Sequence, residues 1–455
     1  MNLHSRISGA WALAAAALAF GAALSPAGAS THTVLHTFCT SSGCPDGSSP
    51  GSPLLKNAAK YYGTTTGGGA HGGGVIYRYD TNNSTYTDLY DFCVTGSCPN
   101  TPMGNLIRDS NGNLYGTAQF GGANSGGAVW ELVKNGNGTW TFQTLYSFCA
   151  TTSGSICTDG NKPQAGLTYA GQSGGSNYDG TSLLFGTTAG GGSTDNGAVF
   201  ALQLSGGTWS EKVIHSFAGQ SSDGRFPNST MWMDSSNNLW GTTKLGGEDN
   251  KGIAFELVPG ADLWNNAWTE TVLYNFCYTN VTKCPDGEDP AGIVLDGSGN
   301  IYGETRFGGN GQGTTGEGVV FKLNNGNCSE NGTSGFWCNT VLYNFCPNSG
   351  CQDGEFPTIG ETILRDGSGN IYGTTLLGGT GGSSPYNGAI YKLTSGGSES
   401  VLYSFCQTGG TNCTDGALTA NGSGLAMDGS GNIFGTNPSG GDATNQAGVV
   451  YEWTP

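Results

Sequence analysis

The stretch Thr271-Val-Leu-Tyr-Asn-Phe-Cys277, followed by Cys284-Pro-Asp-Gly287 and Pro290, then Ile293-Val-Leu-Asp-Gly-Ser-Gly-Asn-Ile-Tyr-Gly303, Gly308-Gly309 and Gly318-Val-Val-Phe-Lys-Leu323, recurs in the same order along the chain. With its first Phe as marker, seven copies begin at Phe38, Phe92, Phe148, Phe217, Phe276, Phe345 and Phe405, at spacings of 54 to 69 residues. Such a period marks an array of units that pack on their neighbours. Each copy holds four short runs rich in Val, Ile, Leu, Tyr and Phe, bounded by Gly, Asn, Asp or Pro, which is the chemistry of strands. Four strands in each of seven copies predict an all-β fold, a seven-bladed β-propeller.

The strands are named by their place in a blade. Strand A precedes the Asp-Gly-Ser-Gly-Asn turn (296–300, 366–370 and 428–432, with Asp109-Ser-Asn-Gly-Asn113 as a variant), and strand B follows it. Such a tight hairpin needs residues that accept positive φ. Strand C is the Gly-x-Val-Phe-x-Leu run and strand D the Val-Leu-Tyr-x-Phe run. Strand B carries an aromatic before Gly in every copy (Tyr62, Tyr115, Phe185, Trp240, Tyr302, Tyr372, Phe434), which is expected to pack one blade on the next. Because the chain opens with a D strand (Val34 to Phe38) and closes with A, B and C (Gly424 to Trp453), the N-terminal strand is expected to complete the last blade and close the ring. Alternating strand direction then puts the D-to-A and B-to-C loops on one face and the A-to-B and C-to-D loops on the other.

Residues 1–29 read as a secretory signal peptide: Arg6, the apolar run Ala10 to Leu24, and the small-residue site Ala27-Gly28-Ala29. Residues 30–455 then form one propeller domain, exported to the periplasm, the cell surface or the medium, with no membrane insertion after cleavage and a monomeric state expected. The chain carries 16 basic and 33 acidic residues, a net charge of −17, and no Lys/Arg cluster, which argues against nucleic acid as a partner. The small number of His, five, argues against a multi-histidine metal or haem centre.

The 14 Cys fall as 39/44, 93/98, 149/157, 277/284, 328/338, 346/351 and 406/413. Six of these pairs hold the same place in the repeat, in the loop entering a blade, whereas Cys328 and Cys338 lie in a C-to-D insertion. The fourth copy lacks both members at once: Ala218 stands at the first position and Ser-Ser-Asp-Gly (221–224) at the second. Paired loss, an even count and an exported chain predict seven local disulfides rather than zinc ligands.

The pattern Leu-Tyr-x-Phe-Cys, Cys-x-Asp-Gly-x-x-Pro, Asp-Gly-Ser-Gly-Asn-Ile-Tyr-Gly-Thr-Thr and Gly-Gly-x-x-x-x-Gly-x-Val-Phe-x-Leu resembles the GloVer (Gloeobacter/Verrucomicrobia-type) repeat of secreted bacterial "choice-of-anchor" tandem-repeat proteins. The resemblance implies an exported, repeat-built protein, often held at the surface by a C-terminal anchor, and it implies no particular activity. No such anchor is read after Pro455.

Residues shared by all copies build the blade, so function is sought where one copy breaks the pattern. In the fifth copy Glu304 replaces the Thr found at Thr64, Thr117, Thr187, Thr242, Thr374 and Thr436, and Arg306 follows. Alternation puts both on one side of strand B, Glu304 as an acid or base and Arg306 as its partner or a substrate clamp. Gln119 and Lys244 hold the position of Arg306 in other copies, so these four residues are the candidate ligand site, on the cysteine-loop face. Glu288, Asp289, Glu317, Glu355 and Glu361 are further carboxylates from several blades. Trp232 and Trp240 are candidates for sugar stacking, Trp240 being better suited to the core. His36 and His215 stand in for the strand-D Tyr, and the Asp of each D-to-A loop is a turn former. No catalytic or metal-binding motif is present, and no cofactor is expected; Ca2+ at the Asp-Gly-Ser-Gly-Asn turns would lack a distal bidentate Glu. The expected function is non-catalytic binding of polysaccharide or another surface ligand. The alternatives are a glycoside hydrolase or polysaccharide lyase with carboxylates in the propeller mouth, and a structural envelope or matrix protein.

Overall fold

The computed structural model describes residues 30–455 apart from 278–282, 312–315, 331–332, 359–362, 381–387, 408–412, 418–423 and 443. The leader read at residues 1–29 and the carboxylate Glu361 lie outside the described residues. Among the described residues there is no α-helix, and one 3-10 turn occurs at Gln172–Gly174. The strands form seven antiparallel blades, each ordered A-B-C-D. Blade II shows the plan, with Asn100–Arg108, Leu114–Phe120, Ala128–Lys134 and Trp140–Ser147 as A to D. Blade I departs from it: strand A is split into Ser48–Pro50 and Leu55–Asn57, both paired with strand B at Lys60–Gly67.

The ring closes as expected. Thr31–Thr37 is the D strand of the blade whose A, B and C strands are Ala426–Met427, Ile433–Asn437 and Val449–Thr454. Its register runs from Thr31↔Thr454 to Thr37↔Val449, so the first strand of the chain is paired along its length with the last.

The apolar core is divided into wedges between blades. Tyr62 of blade I, for example, packs with Leu106, Leu114 and Trp130 of blade II, and Phe434 of blade VII with Val75 and Tyr77 of blade I. The strand-B aromatic thus bridges blades, but the Gly beside it acts within its own blade. A Cβ on Gly116 would meet Trp130 at 2.5 Å, and one on Gly303 would meet Phe321 at 2.5 Å, so these glycines admit the strand-C ring.

A second set of contacts locks each blade to the next at the rim. The Gly that opens strand C receives the Pro of the following blade: a Cβ on Gly127, Gly252 or Gly448 would lie 2.6, 2.5 and 2.5 Å from the Cδ of Pro163, Pro290 and Pro50. The residue before each Pro has φ between 53° and 58° at Ser49, Thr101, Lys162, Phe226, Asp289 and Phe356. Its N–H reaches back to the preceding blade, as Asp289 N–H does to Lys251 O at 3.0 Å and Ser49 N–H to Ala447 O at 2.7 Å. The Pro in the repeat is therefore a joint between blades.

The Cys and Gly-Gly loops share a face, as expected. The second Gly of each pair donates to the loop beside it: Gly69 to Cys44 O at 2.8 Å, Gly309 to Cys284 O at 2.7 Å, Gly379 to Cys351 O at 2.9 Å. All seven expected disulfides are formed: Cys39–Cys44, Cys93–Cys98, Cys149–Cys157, Cys277–Cys284, Cys328–Cys338, Cys346–Cys351 and Cys406–Cys413. No free cysteine remains, which suits an oxidising compartment. No helix among the described residues is long and apolar enough to cross a membrane.

Candidate functional site

The recurring aspartates are consumed by the scaffold. In the D-to-A loops Asp286 accepts the Tyr274 hydroxyl and the Cys277 N–H at 2.8 Å each, and Asp353 accepts Tyr343 and Cys346 at 2.8 and 2.9 Å. His36 replaces the Tyr and its Nε2 lies 2.9 Å from Asp46 Oδ2, so imidazole serves where a phenol usually does. In the A-to-B turns Asp296 accepts the Ser298 and Asn300 N–H groups and the Asn300 side-chain amide at 2.8 to 2.9 Å. These bonds hold its carboxyl below the usual carboxylate range despite the opposing effect of partial burial.

Of the four residues singled out in the sequence, two share a charged cluster with a third that sequence reasoning left among the general carboxylates. Lys244 Nζ lies 3.6 Å from the carboxylate of Asp289 on the next blade. Asp289 is 5% exposed and neither of its oxygens has a hydrogen-bond partner. Burial raises its carboxyl to about 6, against the pull of Lys244 and Arg306. Arg306 lies partly exposed with its guanidinium carbon 5.3 Å from the Phe307 ring. Gln119 belongs to blade II and is partly exposed at the end of strand B, away from this cluster.

Glu304 is placed elsewhere. Its side chain enters the wedge between blades V and VI, is 2% exposed, and accepts the hydroxyl of Tyr391 from strand C of blade VI. Burial raises its carboxyl to about 8, so a neutral acid sits in the wedge over most of the ordinary pH range. At the same register, Thr117 and Thr242 donate to Ala165 O and Ala291 O of the next blade at 2.9 and 2.7 Å. Alternation put Glu304 beside Arg306 near the rim, but in a propeller that side of the strand is covered by the neighbouring blade. Trp240 is 7% exposed, its Nε1 donating to Asp234 at 3.1 Å, as befits the core; Trp232 packs partly buried on the same cluster.

A concavity in the structure was missed in the sequence. It is a cleft of about 580 Å³ between blades II and III, on the face opposite the cysteine loops. Blade II supplies Asp109, Asn111 and Asn113 of the A-to-B turn, Tyr115, Glu131, and Gln143 to Leu145; blade III supplies Trp209 with Leu204, Gly207 and Thr208 of its C-to-D hairpin. The remaining wall, Asp179 to Thr181, comes from residues 170–183, where the third copy replaces the short turn by a longer segment.

That segment docks on blade II through backbone bonds: Tyr178 N–H to Arg108 O at 3.1 Å, and Ser110 N–H to Tyr178 O at 3.2 Å. The Tyr178 ring is fully buried, edge-on to Tyr115 at 5.1 Å. On the cleft floor the Tyr115 hydroxyl donates to Glu131 Oε1 at 2.8 Å, with Asp109 Oδ2 3.4 Å away, and Gln143 donates its amide to the other Glu131 oxygen. The lining therefore combines fixed acceptors, an indole and no Lys or Arg. The sequence signal for it was the third copy's replacement of the short A-to-B turn by a longer segment.

With this geometry in view, comparison with known proteins identifies the lineage. The family model described as the Gloeobacter/Verrucomicrobia repeat matches residues 20–183 and 172–358, and the chain belongs to this family. A search of curated proteins finds no match to the sequence. Among solved structures, a puromycin-hydrolyzing peptidase of Mycobacterium tuberculosis is 9% identical, with a TM-score of 0.43, 78% of this chain and 45% of that one being covered. PorZ, a surface component of the type-IX secretion system of Porphyromonas gingivalis, is 12% identical, with a TM-score of 0.42, coverage being 84% and 44%. An endo-arabinase of Bacteroides thetaiotaomicron is 14% identical, with a TM-score of 0.31, coverage being 65% and 94%. None of these likenesses bears on activity.

Proposed function

We propose that this protein is an exported, non-catalytic propeller that binds polysaccharide or another surface glycan, and that the cleft between blades II and III is its ligand site. The observation that supports this reading is the composition of the lining. Trp209 offers an indole face for the C–H face of a sugar ring, while the exposed Asn111, Gln143, Asp179 and Thr208 offer acceptors and donors for its hydroxyl groups. Three carboxylates and no cation favour a neutral glycan over a uronate-rich or sulfated one, which the same groups would repel. The sequence-based expectation put the ligand on the cysteine-loop face, where Gln119, Lys244 and Arg306 offer a polar rim.

The catalytic alternative has less support in its original form. Glu304 lacks solvent access and its carboxyl is engaged by Tyr391, so a polymer has no route to it. The test is retention of the oxidised chain on immobilised neutral glucans, mannans and arabinans, with a uronate polymer alongside and new reducing ends measured in the same samples. Retention on a neutral polymer, lost in Trp209→Ala, supports the reading. New reducing ends overturn non-catalysis, and retention on no polymer leaves the structural envelope role.

A further inference from the structure

Six of the seven junctions between blades have one arrangement beside the D-to-A loop, the junction of blades I and II having Asn100 in place of the loop Asp. The strand-D Tyr or His of one blade meets the loop Asp, and a strand-D residue of the next blade packs against them. Most junctions complete the bond from the strand-D ring to the Asp, although the strand-D glutamates Glu211 and Glu399 beside two of them each keep an unpartnered Oε1. His36 reaches Asp46 at 2.9 Å and is covered by the Tyr86 ring at 3.9 Å. Tyr403 reaches Asp415 at 2.7 Å under His32, whose ring stacks on it at 4.1 Å. Tyr146 and Tyr343 donate to Asp159 and Asp353 at 2.8 Å each.

The junction of blades III and IV does not. His215 of strand D in blade III, Asp223 of the loop and Glu270 of strand D in blade IV bring one imidazole nitrogen and two carboxylate oxygens within 4.8 Å of one another. His215 Nε2 stays 3.6 Å from Asp223 Oδ1, beyond hydrogen-bond reach. Neither His215 Nε2 nor Glu270 Oε1 has a hydrogen-bond partner, and both atoms are shut off from solvent. Leaving such atoms unpaired is costly, and native structures rarely do so. The same loop is the one that lost its cysteine pair, with Ala218 and Ser221 at the two positions.

We propose that His215, Asp223 and Glu270 form a binding site for one divalent transition-metal ion of the zinc class. Imidazole with carboxylate oxygens suits zinc and its neighbours, and Nε2 is the ring nitrogen that the geometry leaves without a partner. The ligands are held in place. Asp223 accepts the Ala218 and Gly224 N–H groups at 2.6 Å each, and the His215 ring lies edge-on to Phe217 at 4.7 Å. Three protein ligands leave a coordination position for water. The ion ties strand D of blade III, the loop and strand D of blade IV together, and so replaces the covalent staple at the one junction without it. The superficially similar groups Cys277/Cys284/Glu288 and Cys346/Cys351/Glu355 are not such sites, because their sulfurs are committed to disulfides.

The test is equilibrium dialysis of the oxidised, untagged chain against micromolar zinc chloride, followed by elemental analysis and thermal melting. One zinc per chain and a rise in melting temperature of several degrees are expected. His215→Tyr installs the residue that strand D carries at Tyr146, Tyr274 and Tyr343, so it preserves the fold; it is expected to bind zinc at least tenfold more weakly and to lose the rise. Glu270→Gln is expected to weaken binding as well. Zinc content no higher than the dialysis blank, equal binding by His215→Tyr, or calcium chloride giving an equal rise that His215→Tyr leaves intact each overturn the proposal.

Discussion

The hydroxyl of Tyr391 on blade VI donates to the carboxyl of Glu304 on blade V, inside the apolar wedge between them. The equivalent Tyr77 and Tyr451, which face Thr436 and Thr374 of the preceding blades, have hydroxyls with no partner. Threonine at that register is too short to cross the wedge; glutamate spans it. The fifth copy's departure from the repeat therefore satisfies a buried phenol that two other blades leave unpaired.

That pair sets a pH dependence. Burial raises the Glu304 carboxyl from its ordinary value near 4.5 to about 8, so the folded state holds its proton more tightly than the unfolded chain does. Its contribution is full below the unfolded value and is lost as pH rises through the folded one. The melting temperature is expected to fall between pH 5 and 9, with a slope from this residue of at most about 1.4 kcal/mol per pH unit. Glu304→Gln keeps an acceptor for Tyr391 but removes the titration, so it is expected to match the parent at pH 5 and exceed it at pH 9. Parallel pH profiles for the two proteins sink this account.

The joints between blades are expected to tolerate no side chain. At Gly448, φ is +107° and a Cβ would lie 2.5 Å from Pro50 Cδ; at Gly397, φ is +85° and nothing stands within 4 Å. Gly397→Ala carries backbone strain alone, about 1 kcal/mol, whereas Gly448→Ala adds overpacking at the ring closure and is expected to cost about 3 kcal/mol or more. Urea midpoints of the two variants measure the difference.

The loop staples are expected to be individually modest. Cys346 and Cys351 close a loop with a sequence separation of 5, for which the chain-entropy model gives about 2 kcal/mol. Replacing both with Ala is expected to lower stability by that amount and leave far-UV circular dichroism unchanged. A lost fold in this double variant would show that the bridge does more than shorten the unfolded loop.

In the cleft, Trp209→Ala is expected to reduce glycan affinity about tenfold, the scale of one lost aromatic contact with its buried area. Glu131→Gln removes a charge while keeping the acceptor facing Tyr115, so it is expected to narrow the preference for neutral over anionic polymers rather than abolish binding. Calorimetry with matched neutral and uronate oligosaccharides reads both changes.

The propeller, its closure by Thr31–Thr37 and the seven cystines were legible because each is a local pattern repeated in register. Repetition also hid what was not local. The Pro read as part of a loop signature proved to be a joint, since its partner Gly lies one blade earlier, 36 residues away in the chain for Gly127 and Pro163. Glu304 stood out as an anomaly, yet period-two alternation cannot tell a rim from a wedge when both faces of a strand are covered. The cleft depends on Tyr178 docking beside Asp109, a long-range pairing that the sequence marks only by the missing turn of the third copy.

Pairing Thr31–Thr37 with Val449–Thr454 also fixes an order of events. Thr31–Thr37 is made more than four hundred residues before its partner and must wait, unpaired, until Val449–Thr454 has been made before it finds its place. Until then the growing chain is an open arc with a bare flank at each end, and unpaired strand edges of this kind invite association between chains. Closure thus depends on both segments: a product cut just before Val449 keeps the other six blades and still forms no circle.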